Sequence, residues 1–388
     1  MQTLLRENPD MKEYIPRLIA PQILEALKYF PVVVICGPRQ SGKTSLSLHL
    51  CPDYKYVNLE NITDRVVAAS DPINFIDSLG NTAIIDEVQN VPELLSMIQV
   101  RVDVDPHRRY ILTGSSNFSL LKTISQSLAG RAAIFTLLPF SLQEIKSLVV
   151  DKSIDFIMWN GLYPRVIGDG APASIFFRSY YNTYVERDLR DLLRVKNIIA
   201  FGKFMRLLAA RVGSEFNSSS VSREVGVSSV TISEWLSILA TSYIAFPLRP
   251  YYTNISKQMT KMPKVYFYDT GLLCYILGIE TPEQLERFPN RGAIFENLAI
   301  CELVKRQFNA GKDCRLYFYR DKSGLEADAV LETGSGLELY EIKTGATLQR
   351  DYAKNMKEIT ARVKNVRNTT VIYSGQSIPP AALNIRDI

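Results

Sequence analysis

A glycine-rich loop between an apolar run and a helix start restricts the fold of this chain more than any other feature. The loop is Gly37-Pro-Arg-Gln-Ser-Gly42-Lys43-Thr44, which matches G-x-x-x-x-G-K-[ST]. The β-branched run 31–36 predicts a buried parallel strand before the loop, and residues 45–50 predict a helix after it. Strand, loop and helix in this order predict a nucleoside triphosphate site, because backbone N–H groups and a helix N-terminus bind phosphates.

The residue types in this loop predict individual roles. We expect Lys43 to reach the β- and γ-phosphates and the Thr44 hydroxyl to bind Mg²⁺. ATP and Mg²⁺ are therefore the predicted cofactors. The other predicted nucleotide-binding residues of this segment are Gly37, Pro38, Arg39, Gln40, Ser41, Gly42 and Ser45.

Two adjacent carboxylates end the strand-like run 82–87, downstream of the loop. In P-loop enzymes an acid at this strand end holds Mg²⁺, and an acid beside it can polarise the attacking water. We therefore predict that Asp86 is a metal ligand and that Glu87 is the general base.

A third strand-like run, 108–114, leads into small polar residues. The carboxyl ends of parallel strands face the nucleotide, so a hydroxyl or amide there can sense the γ-phosphate. The candidates are Ser115, Ser116 and Asn117, and the sequence leaves the choice open because each can also be a turn residue; Ser115 and Asn117 are favoured.

Length and composition limit the classes of protein to consider. The 388 residues are 46% hydrophobic and 22% charged, which indicates roughly two to four globular domains. Lys and Arg exceed Asp and Glu by 45 to 40, a balance that permits a nucleic-acid surface without demonstrating one. Five scattered cysteines and two histidines suggest no zinc site. No apolar run approaches the length of about 20 residues that a spanning helix needs, so the cytoplasm is the expected compartment.

Four stretches in the first 145 residues together resemble a known family. They read GPRQSGKT, AIIDEVQNVPELL, YILTGSSNFSLL and SLAGRAAIFTLLPFSLQEI. They resemble bacterial and archaeal AAA+-type P-loop ATPases that carry a restriction-endonuclease-like domain at the C-terminal end, and the resemblance spans nearly the whole chain. It implies a homo-oligomer, with a hexameric ring as one form. Arg131 can be a solvated loop residue or an arginine finger for a neighbouring subunit, and the resemblance favours the finger.

The middle of the chain is predicted to be mainly helical. Residues 154–212 show the apolar spacing of helices and are interpreted as a lid over the nucleotide. Residues 217–239 predict two helices separated by a turn at Gly226, and 243–252 and 264–269 predict the two strands of a wing. A winged helix of this kind contacts DNA in some proteins and is a structural lid in others. The polar groups that could contact phosphates are Ser222, Arg223, Ser228, Ser229, Thr231 and Ser233.

The last part of the chain contains a helix followed by a strand hairpin with acidic residues. Glu296 lies in the predicted helix, Asp328 in one strand, and Glu341 and Lys343 on one face of the paired strand. Three carboxylates there could bind Mg²⁺ or Mn²⁺, so Glu296, Asp328 and Glu341 are predicted metal ligands. Asp328, Glu341 and Lys343 are also the predicted catalytic residues, because this is the arrangement of PD-(D/E)XK nucleases. The alternative is a solvent-facing hairpin with alternating charges.

Together these patterns predict an α/β protein in four parts. They are a P-loop AAA+-type ATPase domain at 1–153, a helical lid at 154–212, a winged-helix-like domain at 213–285 and a PD-(D/E)XK nuclease-like domain at 286–388. The predicted function is an oligomeric ATPase that remodels or translocates DNA, with branched DNA as one candidate form, coupled to the nuclease-like domain. Two alternatives stay open: an ATP-dependent switch whose C-terminal domain binds a partner or nucleic acid without cleaving it, and a regulator of a neighbouring protein.

Overall fold

The N-terminal part of the chain is built on a parallel β-sheet. The computed structural model describes residues 14–115, 127–188, 197–252 and 262–388. The sheet has the order β2-β3-β4-β1-β5, and all neighbouring strands are parallel. This confirms the predicted α/β class. The strands are β1 (Val32–Gly37), β2 (Lys55–Asn58), β3 (Thr82–Asp86), β4 (Arg109–Ser115) and β5 (Ala132–Thr136).

Helices cover both faces of this sheet. Val32 and Val34 pack into one apolar cluster and Val33 and Ile35 into another, because successive side chains of a strand point to opposite faces. Burial of both faces of β1 explains why its sequence is a continuous apolar run. The helices are α1 (Ala20–Tyr29), α2 (Lys43–Leu50), α3 (Ile62–Ser70), α4 (Pro72–Leu79) and α5 (Leu94–Val104).

The next segment is helical, as predicted. Its aromatic side chains are mainly core: Tyr163, Phe177 and Phe204 are each at most 1% exposed. The helices are α6 (Ile154–Asn160), α7 (Pro164–Ile167), α8 (Ala173–Tyr180), which continues as a π-helix over Tyr181–Asp188, and α9 (Ile198–Ala210).

Two helices and a two-stranded antiparallel sheet follow. Asn217 caps the first helix, Gly226 ends it with a φ of +84°, and Ser228 caps the second. The predicted helices and strands are present, while their grouping into a winged-helix domain stays a prediction. The elements are α10 (Ser218–Val225), α11 (Ser229–Thr241), β6 (Ala245–Leu248), β7 (Lys264–Phe267), α12 (Thr270–Ile276) and α13 (Pro282–Glu286).

The C-terminal part has a mixed five-stranded sheet of order β12-β11-β10-β9-β8. Strands β8, β9 and β10 pair antiparallel, whereas β10, β11 and β12 pair parallel. The elements are α14 (Arg291–Asn309), β8 (Leu316–Arg320), β9 (Glu326–Thr333), β10 (Gly336–Ile342), α15 (Lys354–Arg362), β11 (Val366–Tyr373) and β12 (Ala382–Asn384). Within the residues that the structure describes, no helix is long and apolar enough to cross a membrane.

Candidate functional site

The glycine-rich loop has a backbone that only glycine fits at two positions. Gly37 has a φ of +152°, and a Cβ there would lie 2.1 Å from the Leu137 carbonyl oxygen. Gly42 has a φ of +93° and directly precedes α2. Because these positions have no Cβ, the loop can wrap closely around the start of the helix. Its backbone groups, rather than side chains, can then face a ligand.

Lys43 lies inside this loop. Its ammonium donates to the Gly37 carbonyl at 3.2 Å and to the Pro38 carbonyl at 2.8 Å. Burial lowers the pKa of Lys43, and the nearby Glu87 and Asp86 oppose that shift. A phosphate oxygen would compete with the two carbonyls for this ammonium, so the geometry agrees with the predicted role.

Thr44 and Asp86 are brought together as predicted. The Thr44 hydroxyl donates to Asp86 Oδ2 at 2.7 Å, and Tyr56 donates to the same oxygen at 3.0 Å. Thr113 donates to the other carboxylate oxygen. Since Mg²⁺ prefers oxygen ligands held in fixed positions, the Thr44 hydroxyl and the Asp86 carboxylate fit a Mg²⁺ ion.

Glu87 lies beside Asp86 in a left-handed conformation, with a φ of +55°. Its Oε2 accepts hydrogen bonds from the Ser115 backbone N–H and hydroxyl, both at 3.3 Å, and from the Gln89 side chain. Gln89 also donates to the Ser115 hydroxyl at 3.1 Å. The structure thus places Ser115 against the predicted general base, while Asn117 lies outside the described residues.

The remaining loop residues differ in exposure. Pro38 and Ser41 are buried, whereas Arg39, Gln40 and Ser45 are exposed at the surface. The Arg39 guanidinium lies over the Tyr184 ring at 5.4 Å.

Arg131 lies on an exposed loop directly before β5. Its guanidinium makes a two-point ion pair with the Asp103 carboxylate, at 2.6 and 2.8 Å. Within one chain the arginine is thus held at the surface, so its finger role stays a prediction about a second subunit.

In the C-terminal part, the structure brings three of the four predicted residues together. The Lys343 ammonium lies 2.7 Å from Glu341 Oε1 and 3.9 Å from Asp328 Oδ2. Asp328 also accepts from the Ile342 backbone N–H at 2.7 Å. The side chain of Glu341 is 8% exposed, and its Oε2 is buried without a hydrogen-bond partner.

The fourth predicted residue, Glu296 on α14, has different partners. Glu296 Oε1 accepts from the Tyr266 hydroxyl at 2.5 Å and lies 3.4 Å from the Lys264 ammonium. Lys264 also contacts Glu326 at 2.6 Å. In the described ranges no group of three or more His, Cys, Asp or Glu is placed to hold a metal ion. The predicted three-ligand set of Glu296, Asp328 and Glu341 is therefore not assembled, because Lys264 and Tyr266 engage Glu296.

Burial, together with neighbouring carboxylates, raises the pKa values of the acids in this region. Burial raises the pKa of Glu296 and of Asp328, and each of these two groups is also near another carboxylate. Burial and the nearby Asp328 raise the pKa of Glu341 to about 7. Burial alone would lower the pKa of Lys264, but Glu296 and Glu326 outweigh it and raise that pKa.

Most of the polar side chains near α11 that were predicted to contact phosphates are buried or form hydrogen bonds with neighbouring residues of the chain. Ser222 is buried, Ser228 caps α11 by accepting from the Thr231 N–H, and the Ser233 hydroxyl donates to the Ser229 carbonyl. Arg223 is exposed. The helix α11 itself contains no Lys or Arg.

Several residues of these two sites have no signal in a local motif. Gln89, Thr113 and Glu326 each lie two residues from a predicted site residue, so their position could have indicated them. The others come from distant segments and are Arg17, Tyr56, Lys264 and Tyr266.

Family models match most of the chain. A model described as an AAA domain matches residues 29–146, and two models described as domains of unknown function (DUF8612 and DUF4143) match 151–283 and 291–386. The first match and the geometry of the loop agree, so this segment is an AAA-type P-loop ATPase domain.

Similar proteins occur in bacteria and archaea. An uncharacterized protein of Mycobacterium tuberculosis is 29% identical over 365 residues, covering 92% of this chain and 79% of the relative. One from Methanocaldococcus jannaschii is 24% identical over 386 residues, covering 89% and 82%. Among solved structures, a Walker-type ATPase of Pyrococcus abyssi has a TM-score of 0.47 at 13% identity, covering 70% of this chain and 98% of that one.

Proposed function

We propose that this chain is an oligomeric ATPase that uses ATP hydrolysis to remodel or translocate DNA, branched DNA included. Its C-terminal part is a PD-(D/E)XK nuclease-like domain that acts on the same DNA. One observation carries the coupling of the two activities: buried polar contacts join the phosphate-binding loop to the segment 138–144, and further buried contacts join that segment to the helix that holds Glu296.

The first step of this connection is Arg17. Its guanidinium donates to the Ser41 carbonyl in the loop at 2.8 Å and to the Leu138 carbonyl at 2.7 Å, and pairs with Glu144 at 3.0 Å. The residue is 5% exposed. A movement of the loop would therefore be transmitted to the segment that follows β5.

The second step joins that segment to α14. The Lys305 ammonium donates to the Phe140 carbonyl at 2.8 Å, and Glu302 accepts from the Leu142 N–H at 2.7 Å. Lys305 and Glu302 pair with each other at 2.8 Å. Glu296 lies six residues earlier on the same helix, so a shift of α14 would move it against its partners.

The hydrolytic step would use the residues already described. A bound Mg²⁺ would neutralise the phosphate charge, with Thr44 and Asp86 as its protein ligands. Glu87 would accept a proton from the attacking water, and Ser115 and Gln89 hold its carboxylate in position. Lys43 would bind the β- and γ-phosphates.

We assign the finger role to Arg131 of a neighbouring subunit. Substitution Arg131→Ala should then lower ATP turnover by orders of magnitude, while Asp103→Asn, which removes only the ion-pair partner within the chain, should leave turnover nearly unchanged. Equal effects of the two substitutions would show that the pair is structural and would remove Arg131 from the mechanism.

A cavity in the helical middle part supports an interaction with nucleic acid. Its volume is about 780 Å³, and its lining includes Arg178 and Arg206 together with Trp159, Tyr181 and Tyr275. Guanidinium groups contact phosphates and aromatic rings stack on bases, which is the combination that single strands require. The net charge of +5 permits the same partner.

The ATPase rate in the presence of DNA tests this proposal. Duplex, single-stranded and junction DNA should each be added to the full chain, and at least one should stimulate hydrolysis. The double substitution Arg178→Ala/Arg206→Ala should weaken the stimulation, while Lys312→Ala/Lys364→Ala, at exposed positions elsewhere, should not. An ATPase rate that none of the three DNA forms changes would argue against a DNA motor.

A switch that binds without cleaving is the second candidate. It is favoured by the ion pair of Lys264 with Glu296, which leaves the predicted three-carboxylate metal set unassembled. Cleavage assays in Mg²⁺ and Mn²⁺ should compare the wild type with Asp328→Ala and Lys343→Ala. Cleavage that is lost in both variants supports the nuclease; cleavage that both retain is a contaminant and supports the switch.

A further inference from the structure

We infer that Lys264 is a built-in cation of the C-terminal carboxylate cluster, where it competes with a divalent metal ion and keeps the cluster metal-poor. We define this cluster as Glu296, Glu326, Asp328 and Glu341 with Lys264 and Lys343. The inference rests on the proposed nuclease-like site, and it assigns that site a regulatory element from outside its own domain.

Lys264 reaches the cluster from a separate structural element. It begins β7, whereas Glu296 lies on α14 and Glu326 begins β9. Its side chain is 7% exposed, and its ammonium lies 2.6 Å from Glu326 Oε1 and 3.4 Å from Glu296 Oε1. The same ammonium lies 5.4 Å from the centre of the Phe318 ring. A lysine so enclosed is positioned by the packing of the two parts of the chain.

The cluster holds more negative than positive charge. Four carboxylates face two ammonium groups and one guanidinium. Lys264 pairs with Glu296 and Glu326, Lys343 pairs with Glu341 and Asp328, and the Arg320 guanidinium lies 3.8 Å from Glu326 Oε2. Uncompensated buried charge is unfavourable, so such a cluster takes up either protons or a further cation.

One atom points to where a cation would bind. Glu341 Oε2 is buried without a hydrogen-bond partner, and the side chain as a whole is 8% exposed. A buried acceptor of this kind is costly unless a ligand satisfies it. Glu341 and Asp328 both contact Lys343, so the two carboxylates converge on one region of the cluster.

Another buried ion pair on α14 differs from the pair of Lys264 and Glu296 in its charge balance. Glu302 and Lys305 pair one to one, and each has a backbone partner in addition, Leu142 for the acid and Phe140 for the lysine. That pair has balanced charge, whereas the pair of Lys264 and Glu296 belongs to a cluster with excess negative charge. Removal of Lys264 should therefore raise the affinity of the cluster for another cation, rather than only destabilise the fold.

The regulatory consequence follows from the position of β7. A movement of α14 away from β7 would separate Glu296 from Lys264 and leave its carboxylate for a metal ion. The contacts of Glu302 and Lys305 connect α14 to the segment beside the phosphate-binding loop. The nucleotide state would thereby control metal loading in the C-terminal cluster.

Calorimetric Mn²⁺ binding to the full chain tests the inference, in an Asp86→Asn background that weakens the metal site at the phosphate-binding loop. Lys264→Met should bind Mn²⁺ about tenfold or more tightly than the parent, because one competing charge is gone. Lys264→Gln keeps a hydrogen-bond donor for Glu326 and should give the same direction. Adding Asp328→Asn to either variant should abolish the gain.

Each outcome is decisive. The inference is overturned if neither Lys264 variant binds Mn²⁺ more tightly than the parent. It is also overturned if the gain in Mn²⁺ affinity persists after Asp328→Asn is added. If the variants fold only when Mn²⁺ is added, the competition is supported; if they stay unfolded with and without Mn²⁺, Lys264 is structural and the inference fails. Tighter Mn²⁺ binding without any DNA cleavage would support the inference and reject the nuclease. DNA cleavage with an unchanged Mn²⁺ dependence would support the nuclease and reject the inference.

Discussion

The phosphate-binding site and the C-terminal cluster both combine acids with lysine, but they differ in how those acids are satisfied. Asp86 and Glu87 each accept hydrogen bonds from neutral donors on neighbouring elements. In the cluster, carboxylates outnumber ammonium groups and Glu341 Oε2 has no partner. The first site is preorganised for its ligand, whereas the second is charge-imbalanced and held by Lys264.

Glu87→Gln should give the largest effect, and it tests the preorganised phosphate-binding site. Loss of the base should reduce ATP hydrolysis by about 10²–10⁴-fold, while ATP binding is retained because the carboxylate does not hold the phosphates. Turnover and nucleotide affinity should be measured on the same preparation. Turnover near the wild-type rate would remove Glu87 as the base.

Lys43→Ala should come next. We expect turnover to fall by about 10²–10³-fold and ATP affinity to fall with it, since the ammonium is predicted to contact the phosphates. Lys312→Ala, at an exposed position outside the site, is the matched control. If both alanine variants hydrolyse ATP equally well, the assignment of the loop lysine is wrong.

Two substitutions on α14 compare the balanced pair with the cluster. Glu302→Gln breaks a buried pair and should lower the free energy of unfolding by about 3–5 kcal/mol. Glu296→Gln removes one excess negative charge and should cost far less or stabilise. Chemical denaturation of both variants measures the difference, and an equally large loss in Glu296→Gln would contradict the charge imbalance.

The pKa of Glu341 predicts the smallest effect, on the pH dependence of stability. Its pKa is raised from 4.5 in the unfolded chain to about 7 in the folded protein, so the folded state binds the proton more tightly. Stability should therefore fall as pH rises from about 4.5 through 7. Glu341→Gln should remove the part of this trend that Glu341 contributes and stabilise the protein at pH 8 by about 1–3 kcal/mol. Parallel unfolding curves for the two proteins between pH 5 and pH 8 would contradict the shift.

The sequence predicts the local parts of both sites well and the long-range parts poorly. Strand, loop and helix around Lys43 are contiguous, so the motif determines their geometry, and Asp86 follows from the strand order of a parallel sheet. The hairpin that brings Asp328 beside Glu341 is equally local.

Contacts between distant segments could not be predicted in this way. Lys264 precedes Glu296 by 32 residues and Arg17 precedes Glu144 by 127, and neither lysine nor arginine belongs to a recognisable pattern. The sequence also predicted that Glu296 would be a metal ligand. It could not reveal that the packing of β7 against α14 supplies a lysine and a tyrosine hydroxyl to the same carboxylate.

Hydrogen exchange of the Glu87→Gln protein with and without MgATP tests the central claim, that the nucleotide site is coupled to the C-terminal cluster. ATP should change amide protection in the loop and also in α14 (Arg291–Asn309) and β7 (Lys264–Phe267). A change confined to the parallel sheet and its helices, with α14 and β7 unaffected, would contradict it.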